Sequence, residues 1–295
     1  RAGADGTSTI LSAEDIAHLT VTQKHVRCGR CSNNCQLTVN DFGGGRRFIT
    51  GNRCEKGAGH KKQKTEAPNL FKKKNELLFI REVLSPDDAP RGTVGIPRAL
   101  NMYENYPFWH AFFTRLGFSV QLSDQSSKKT YQAGIESMPS ESVCYPAKMS
   151  HGHVMNLIDR DVDFIWMPCV RWERKEDPTA GNCYNCPIVM SYPTALALNI
   201  DEIREQNIEF LYPFVPYHDK TELKRRLYQV LAVDRVADAQ AGRGRVRGPK
   251  ITRSEVDAAV NAAFEADARF HEDIQTMGEE ALKWVEDHGG HGIVL

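Results

Sequence analysis

No run in this chain reaches the roughly 18 to 20 apolar residues that a membrane-spanning helix requires, and the opening residues Arg1-Ala2-Gly3-Ala4-Asp5 carry no apolar signal core. There is no surplus of charge either. Lysine plus arginine and aspartate plus glutamate number 38 each, which removes the global argument for nucleic acid or an anionic membrane as a partner. What remains is ordinary globular material, 41% hydrophobic and 26% charged over 295 residues, enough to bury one large core or two modest ones. Eight cysteines fall in clusters. Without secretory signs, clustered cysteine favours metal ligation in a reducing compartment over disulfides, and the expected location is the cytoplasm.

The clearest chemistry lies between Ser142 and Ser191. Pro146 and Pro187 each open an apolar helical pattern. Proline is favoured in the first helical turn, so Cys144 and Cys186 are expected beside helix N-termini, where unpaired amides and the macrodipole favour a thiolate. Cys169 follows the run Phe164-Ile165-Trp166-Met167-Pro168, which reads as a strand ending at the carboxyl edge of a buried sheet, the edge where open α/β sheets bind ligands. Three thiolates converging there could hold an iron-sulfur cluster. The plainer reading is that these cysteines are small core hydrophobes. Cys183 and Cys186 also form a Cys-x-x-Cys pair, a redox couple in a third reading.

Nearer the N-terminus, Cys28, Cys31, Cys35 and Cys54 are spaced C-x2-C-x3-C-x18-C around a glycine turn at Asp41–Gly45. About forty residues with so little apolar material need a staple, so metal binding is expected. Zinc ribbons present two paired knuckles. Three cysteines in one loop with a distant fourth is closer to ferredoxin-style ligation, which favours a four-iron four-sulfur cluster and leaves zinc open at these four positions.

The expected organisation is an extension over 1–20, the four-cysteine module over 21–60, a basic linker over 61–92, and an α/β domain over 93–295. The fold class is α/β: a doubly wound, mostly parallel sheet, with a small N-terminal four-cysteine metal-binding hairpin and a long C-terminal helix. Strands are expected at Thr93–Arg98, Phe118–Leu122, Asp163–Met167 and Ile208–Val215, with a short helix at Glu76–Leu84. Asp219 with Glu222 and Thr252 with Glu255 cap two late helices. In the second, a stripe from Val256 through Phe270 to Val285 reads as core packing. Because His291–Leu295 reads as the start of another buried strand, a fragment of a longer protein is expected, cut within its last strand.

Several phrases then carry a likeness: Val94-Gly-Ile-Pro-Arg-Ala-Leu-Asn-Met-Tyr-Glu104, Tyr106-Pro-Phe-Trp109, Glu141-Ser-Val-Cys-Tyr-Pro-Ala-Lys148, His151-Gly-His153 and Cys186-Pro-Ile-Val189. Over roughly Val26 to Leu295 the chain resembles the activase-related region of the large CoA-substrate-specific enzyme activases, relatives of the 2-hydroxyacyl-CoA dehydratases and of the double-cubane cluster proteins. The resemblance implies an iron-sulfur α/β domain, with a four-iron or double-cubane cluster, working with an ATP-driven reductive activator in the same or another chain on an acyl-CoA or other small molecule. Carried over by position, the cluster ligands look like Cys144, Cys169 and Cys186. Cys183 is an additional thiol that leaves open which of the pair ligates.

No glycine-rich phosphate loop of the sugar-kinase type is present, so ATP hydrolysis is not expected from this stretch. Arg98 and Lys148 are candidates for balancing cluster charge or holding a phosphate. His151 and His153 could donate to a cluster or substrate, although at i and i+2 they point to different helix faces, so at least one is expected at a cap or on the surface. Glu141, Trp172 and Glu173 are weaker candidates. Nucleic acid and membrane are not expected partners, and a homo-oligomer is left open. The competing function is a zinc-stapled binding domain recognising a partner protein or a CoA-type ligand.

Overall fold

A computed structural model describes residues 10–31, 33–59, 66–242 and 244–291. The outermost N-terminal residues, the lysine-rich start of the basic tract at 60–65 and the strand expected after His291 lie outside them. The chain divides into two units, Arg1–Glu66 and Ala67–Leu295.

In the first unit a short helix α1 (Ala13–Ala17) is closed by a capping box between Ser12 and Asp15. It precedes three antiparallel strands, β1 (Thr22–Arg27), β2 (Gln36–Asp41) and β3 (Arg47–Thr50). The turn between β2 and β3 runs through Gly43, Gly44 and Gly45 at φ of +75°, +58° and +79°, a path that side-chain-bearing residues resist. Every residue of β1 is exposed. Leu37 and Cys28 are the only buried apolar residues described in this unit, too little to hold a small sheet without further support.

The second unit begins with α2 (Leu70–Phe79), capped by Asn69. This corrects the expectation of a short helix at Glu76–Leu84: the lysines of Phe71–Asn75 form the helix's outer face, while Leu78 and Phe79 are buried. The sheet follows in chain order as β4 (Thr93–Ile96), α3 (Met102–Arg115), β5 (Ser119–Leu122), α4 (Lys128–Ala133) with a 3-10 turn at Ile135–Ser137, α5 (Tyr145–Ile158) and β6 (Phe164–Trp166). Next come β7 (Cys169–Val170), α6 (Pro187–Asn199), α7 (Asp201–Glu205), β8 (Phe210–Leu211) and β9 (Phe214–Val215). The chain closes with α8 (Lys220–Tyr228), α9 (Arg235–Gln240) and α10 (Arg253–Asp287). A π-helical stretch at Gln229–Asp234 joins α8 to α9.

The four strands β5-β4-β6-β8 lie side by side, all parallel. Strand residues alternate between two cores, as the period of two demands. Val94, Ile96, Phe164 and Trp166 join the aromatic residues of α3 and the apolar stripe of α10. Ile165 and Met167 join α5, α6 and α7 on the other face. Helices therefore cover both faces, and the chain reverses its winding between β4 and β6, the kind of switch point at which α/β proteins place ligands.

The fourth expected strand, Ile208–Val215, is two pieces. Proline cannot donate to a ladder, and Pro213 separates β8 from β9 as Pro168 separates β6 from β7. The pair β7–β9 forms its own parallel ladder, with Cys169 N–H donating to Pro213 O at 2.9 Å. The α10 stripe is likewise core only in part. Val256, Val260, Ala263 and Phe270 are buried, whereas Met277, Ala281 and Val285 are half-buried. Among the described residues no helix is long and apolar enough to cross a membrane.

Candidate functional site

Both proline-marked cysteines stand where local rules place them. Cys144, in extended conformation, is the N-cap of the 14-residue α5, and Cys186, at φ −52° and ψ 139°, is the N-cap of the 13-residue α6; neither makes a side-chain cap hydrogen bond among the described residues. Both are exposed and free. A sulfur at that position faces the unpaired amides of the first turn and is open to a ligand.

The loop before Cys186 is laid against the segment after Cys169. Glu173 N–H donates to Cys183 O at 2.9 Å and Asn185 N–H to Arg171 O at 3.0 Å. The Asn185 side chain reaches Val170 O at 3.2 Å. Trp172 and Tyr184 pair across a bridge, and the Arg171 guanidinium lies 4.6 Å from the Trp172 ring. Cys183 is half-buried in this strap.

Cys169 behaves differently. It opens β7 instead of closing a strand, and it is fully buried. Burial pushes its thiol up, partly offset by hydrogen bonding with Thr194 of α6. Thr194 lies eight residues beyond Cys186, about 12 Å of helix rise. Among the described residues no group of three or more histidine, cysteine or acidic side chains is arranged to hold a metal. In the first unit Cys28 N–H donates to Cys35 O at 2.8 Å, closing the cysteine loop. Cys28 is buried, Cys35 half-buried, and Cys31 and Cys54 exposed.

The two histidines correct the expectation that one would lie at a cap or on the surface: both are 0% exposed. They do point to different sides of α5, but both sides are covered. His153 lies between Ser123 Oγ and Ser126 Oγ, each at 2.9 Å. His151 lies between Ser137 Oγ at 2.7 Å and Tyr192 Oη at 2.9 Å. Burial holds both imidazoles down to about 4, so they are neutral at pH 7. Burial pushes the Tyr192 phenol up, and its nearness to Cys144 adds to that.

Arg98 is committed to α2. Its guanidinium stacks 3.9 Å from the Phe79 ring centroid, Nη2 reaches Asn75 Oδ1 at 3.4 Å, and its buried Nε has no partner among the described residues. Lys148 is half-buried and Glu141 exposed. Glu173, by contrast, has a built surround. Asn105 and Asn185 donate to its carboxylate at 3.1 and 2.7 Å, and burial raises its pKa. It lines a cavity of about 890 Å3 with Tyr217, Asp267 and Asn101. Of these residues Glu173 was a weaker candidate from its place near Cys169, whereas Asn105, Asn185, Tyr217 and Asp267 were not singled out; Asp267 comes from a helix far along the chain.

Geometry thus defines an α/β domain with two cysteine-capped helices flanking its sheet and a polar cavity beside one of them. Residues 93–295 match the family described as "CoA enzyme activase uncharacterised domain (DUF2229)", and the chain belongs to that family. No curated protein and no solved structure matches it.

Proposed function

We propose that this chain is the iron-sulfur-holding component of an acyl-CoA dehydratase activator system, working with an ATP-hydrolysing partner. The family's description supports the CoA-enzyme half of this reading. The observation that carries the sulfur half is the pair of exposed thiols at the starts of α5 and α6. The donor chemistry fits a sulfur-ligated cluster: Cys144 and Cys186 would hold it, and Cys183 or Cys169 would supply a third sulfur. Cys183 is the more accessible of those two, because the Cys169 thiol is occupied by Thr194. Such a cluster, when bound, supplies low-potential one-electron transfer. The neutral, fully hydrogen-bonded histidines would hold α5 rigid beneath Cys144.

Iron and acid-labile sulfide are to be quantified on anaerobically reconstituted protein, with spectra before and after dithionite. Brown protein that loses its second-unit absorbance in Cys144→Ala and in Cys186→Ala is expected, and comparison of Cys169→Ala with Cys183→Ala identifies the third ligand. Colourless, iron-free protein after reconstitution overturns the reading. The scarcity of buried apolar residues among those described in the first unit supports a metal staple at Cys28, Cys31, Cys35 and Cys54. Zinc at one equivalent without iron would favour the alternative, a zinc-stapled domain that binds a partner protein or a CoA-type ligand.

A further inference from the structure

The cavity beside Glu173 has a chemistry that the cysteines do not use. Its volume of about 890 Å3 falls in the range of small-molecule sites. Five carboxylates line it with Arg174, Lys175 and His271. Glu104 pairs with Lys74 at 3.0 Å and Glu176 with His271 at 3.1 Å, while Glu173 and Glu272 make no ion pair among the described residues; acids outnumber permanent cations there, a balance that draws cations. Among the described residues Glu173 makes no ion pair; amides alone hold it. Asp267, 4% exposed, meets Arg174 at 3.2 Å, but that guanidinium is nearly half exposed.

The second observation is independent of the acids. Tyr217 lines the same cavity, is 2% exposed, and among the described residues its hydroxyl has no hydrogen-bond partner. Its ring is fixed edge-on to Phe108 at 5.0 Å, so the hydroxyl is held in place. The charges of both Asp267 and Glu173 are felt there, adding to the burial that raises it. The buried Asn101 Nδ2, also in the lining, is likewise unpartnered among the described residues. A buried donor left unpaired costs about 1–3 kcal/mol. Two such donors beside under-neutralised carboxylates describe the imprint of a molecule carrying both a positive charge and an acceptor. Because no three donors converge as metal ligands among the described residues, an extended organic cation fits better than a bare ion.

We infer that this cavity binds a small organic ammonium whose N–H groups donate to Glu173 and Asp267 and whose neighbouring oxygen accepts from Tyr217. The inference does not depend on the cluster reading, since it concerns the protein with or without iron. The test is calorimetric titration of the full chain with N-acetylputrescine, which carries an ammonium and an amide oxygen, beside its neutral analogue N-butylacetamide and coenzyme A. Saturable binding of N-acetylputrescine alone is expected, weakened at least about tenfold by Glu173→Gln or Asp267→Asn and several-fold by Tyr217→Phe. Should the variants unfold, the wild-type comparison of charged with neutral analogue decides. Absence of binding below about 10 mM, equal binding of the neutral analogue, or an affinity that folded Glu173→Gln leaves unchanged overturns the inference.

Discussion

Tyr192 donates its phenolic proton to Nε2 of His151 across 2.9 Å, and the direction of that bond follows from its neighbours. Ser137 spends its hydroxyl proton on Gly134 O, so its oxygen accepts from Nδ1–H of His151, which leaves Nε2 as the acceptor. Replacing Tyr192 with Phe strands that nitrogen in a dry site. A loss of about 1–3 kcal/mol is expected, measured by urea denaturation, while Ser191→Ala on the exposed side should change little.

Acid should unfold this protein by way of its histidines. His151 and His153 sit at about 4 in the folded chain against an ordinary 6.5, and burial lowers His110 as well. Between those values the unfolded chain binds more protons than the native one. Stability is therefore fully present above pH 6.5, falls as pH drops through the window, and levels off below about 4. The expected loss is on the order of 1–2 kcal/mol for each of His151 and His153 by pH 5, read from denaturation midpoints. A flat profile between pH 7.5 and 5 would contradict the buried, neutral assignment.

Glycine between the two histidines is a packing requirement. A Cβ at Gly152 would overlap the carbonyl oxygen of Thr130, forcing α4 away from α5. Gly152→Ala should cost at least about 2 kcal/mol and expose both imidazoles, visible as a faster reaction of His151 and His153 with diethyl pyrocarbonate.

The ion pair Arg235–Glu209, 2.7 Å long with side chains only 2% and 8% exposed, ties the helix after the π-turn to the loop entering β8. Arg235 also lies 4.1 Å over the Phe164 ring. Arg235→Met would leave Glu209 buried without its cation, at a cost of about 3–5 kcal/mol. The paired change with Glu209→Leu should recover part of that loss in thermal melts.

Asn185 links the cavity to a cysteine. Its amide bonds both Glu173 and Val170 O one residue before Cys186. Asn185→Ala should loosen the strap, so that Cys183 alkylates several times faster by intact mass while Cys169, buried against Thr194, stays protected. Equal protection of Cys183 in both proteins would show that Asn185 does not hold the strap.

Much of this arrangement was legible locally. Pro146 and Pro187 announced two helix starts and so placed Cys144 and Cys186; Thr252 with Glu255 announced α10, and its capping box is present. The unbroken apolar run Phe164–Met167 announced a strand of a buried sheet. Other features depended on partners distant in sequence. Whether His151 and His153 would be wet or dry turned on Ser123, Ser126, Ser137 and Tyr192 arriving from three other segments. The break between β8 and β9 needed Pro213 to meet the sheet at a ladder position.

The residue order alone therefore determined where elements begin, which faces are apolar and which side chains carry reactive chemistry, because caps, prolines and periodicity act within a few residues. Only the tertiary structure decided that Glu173 would be cradled by Asn105 and Asn185 beside Tyr217 and Asp267, and that Cys169 would turn toward Thr194. Those outcomes depend on how helices are laid across a twisted sheet. Contacts between segments many residues apart are set by packing of the whole core, a property that no short window of sequence contains.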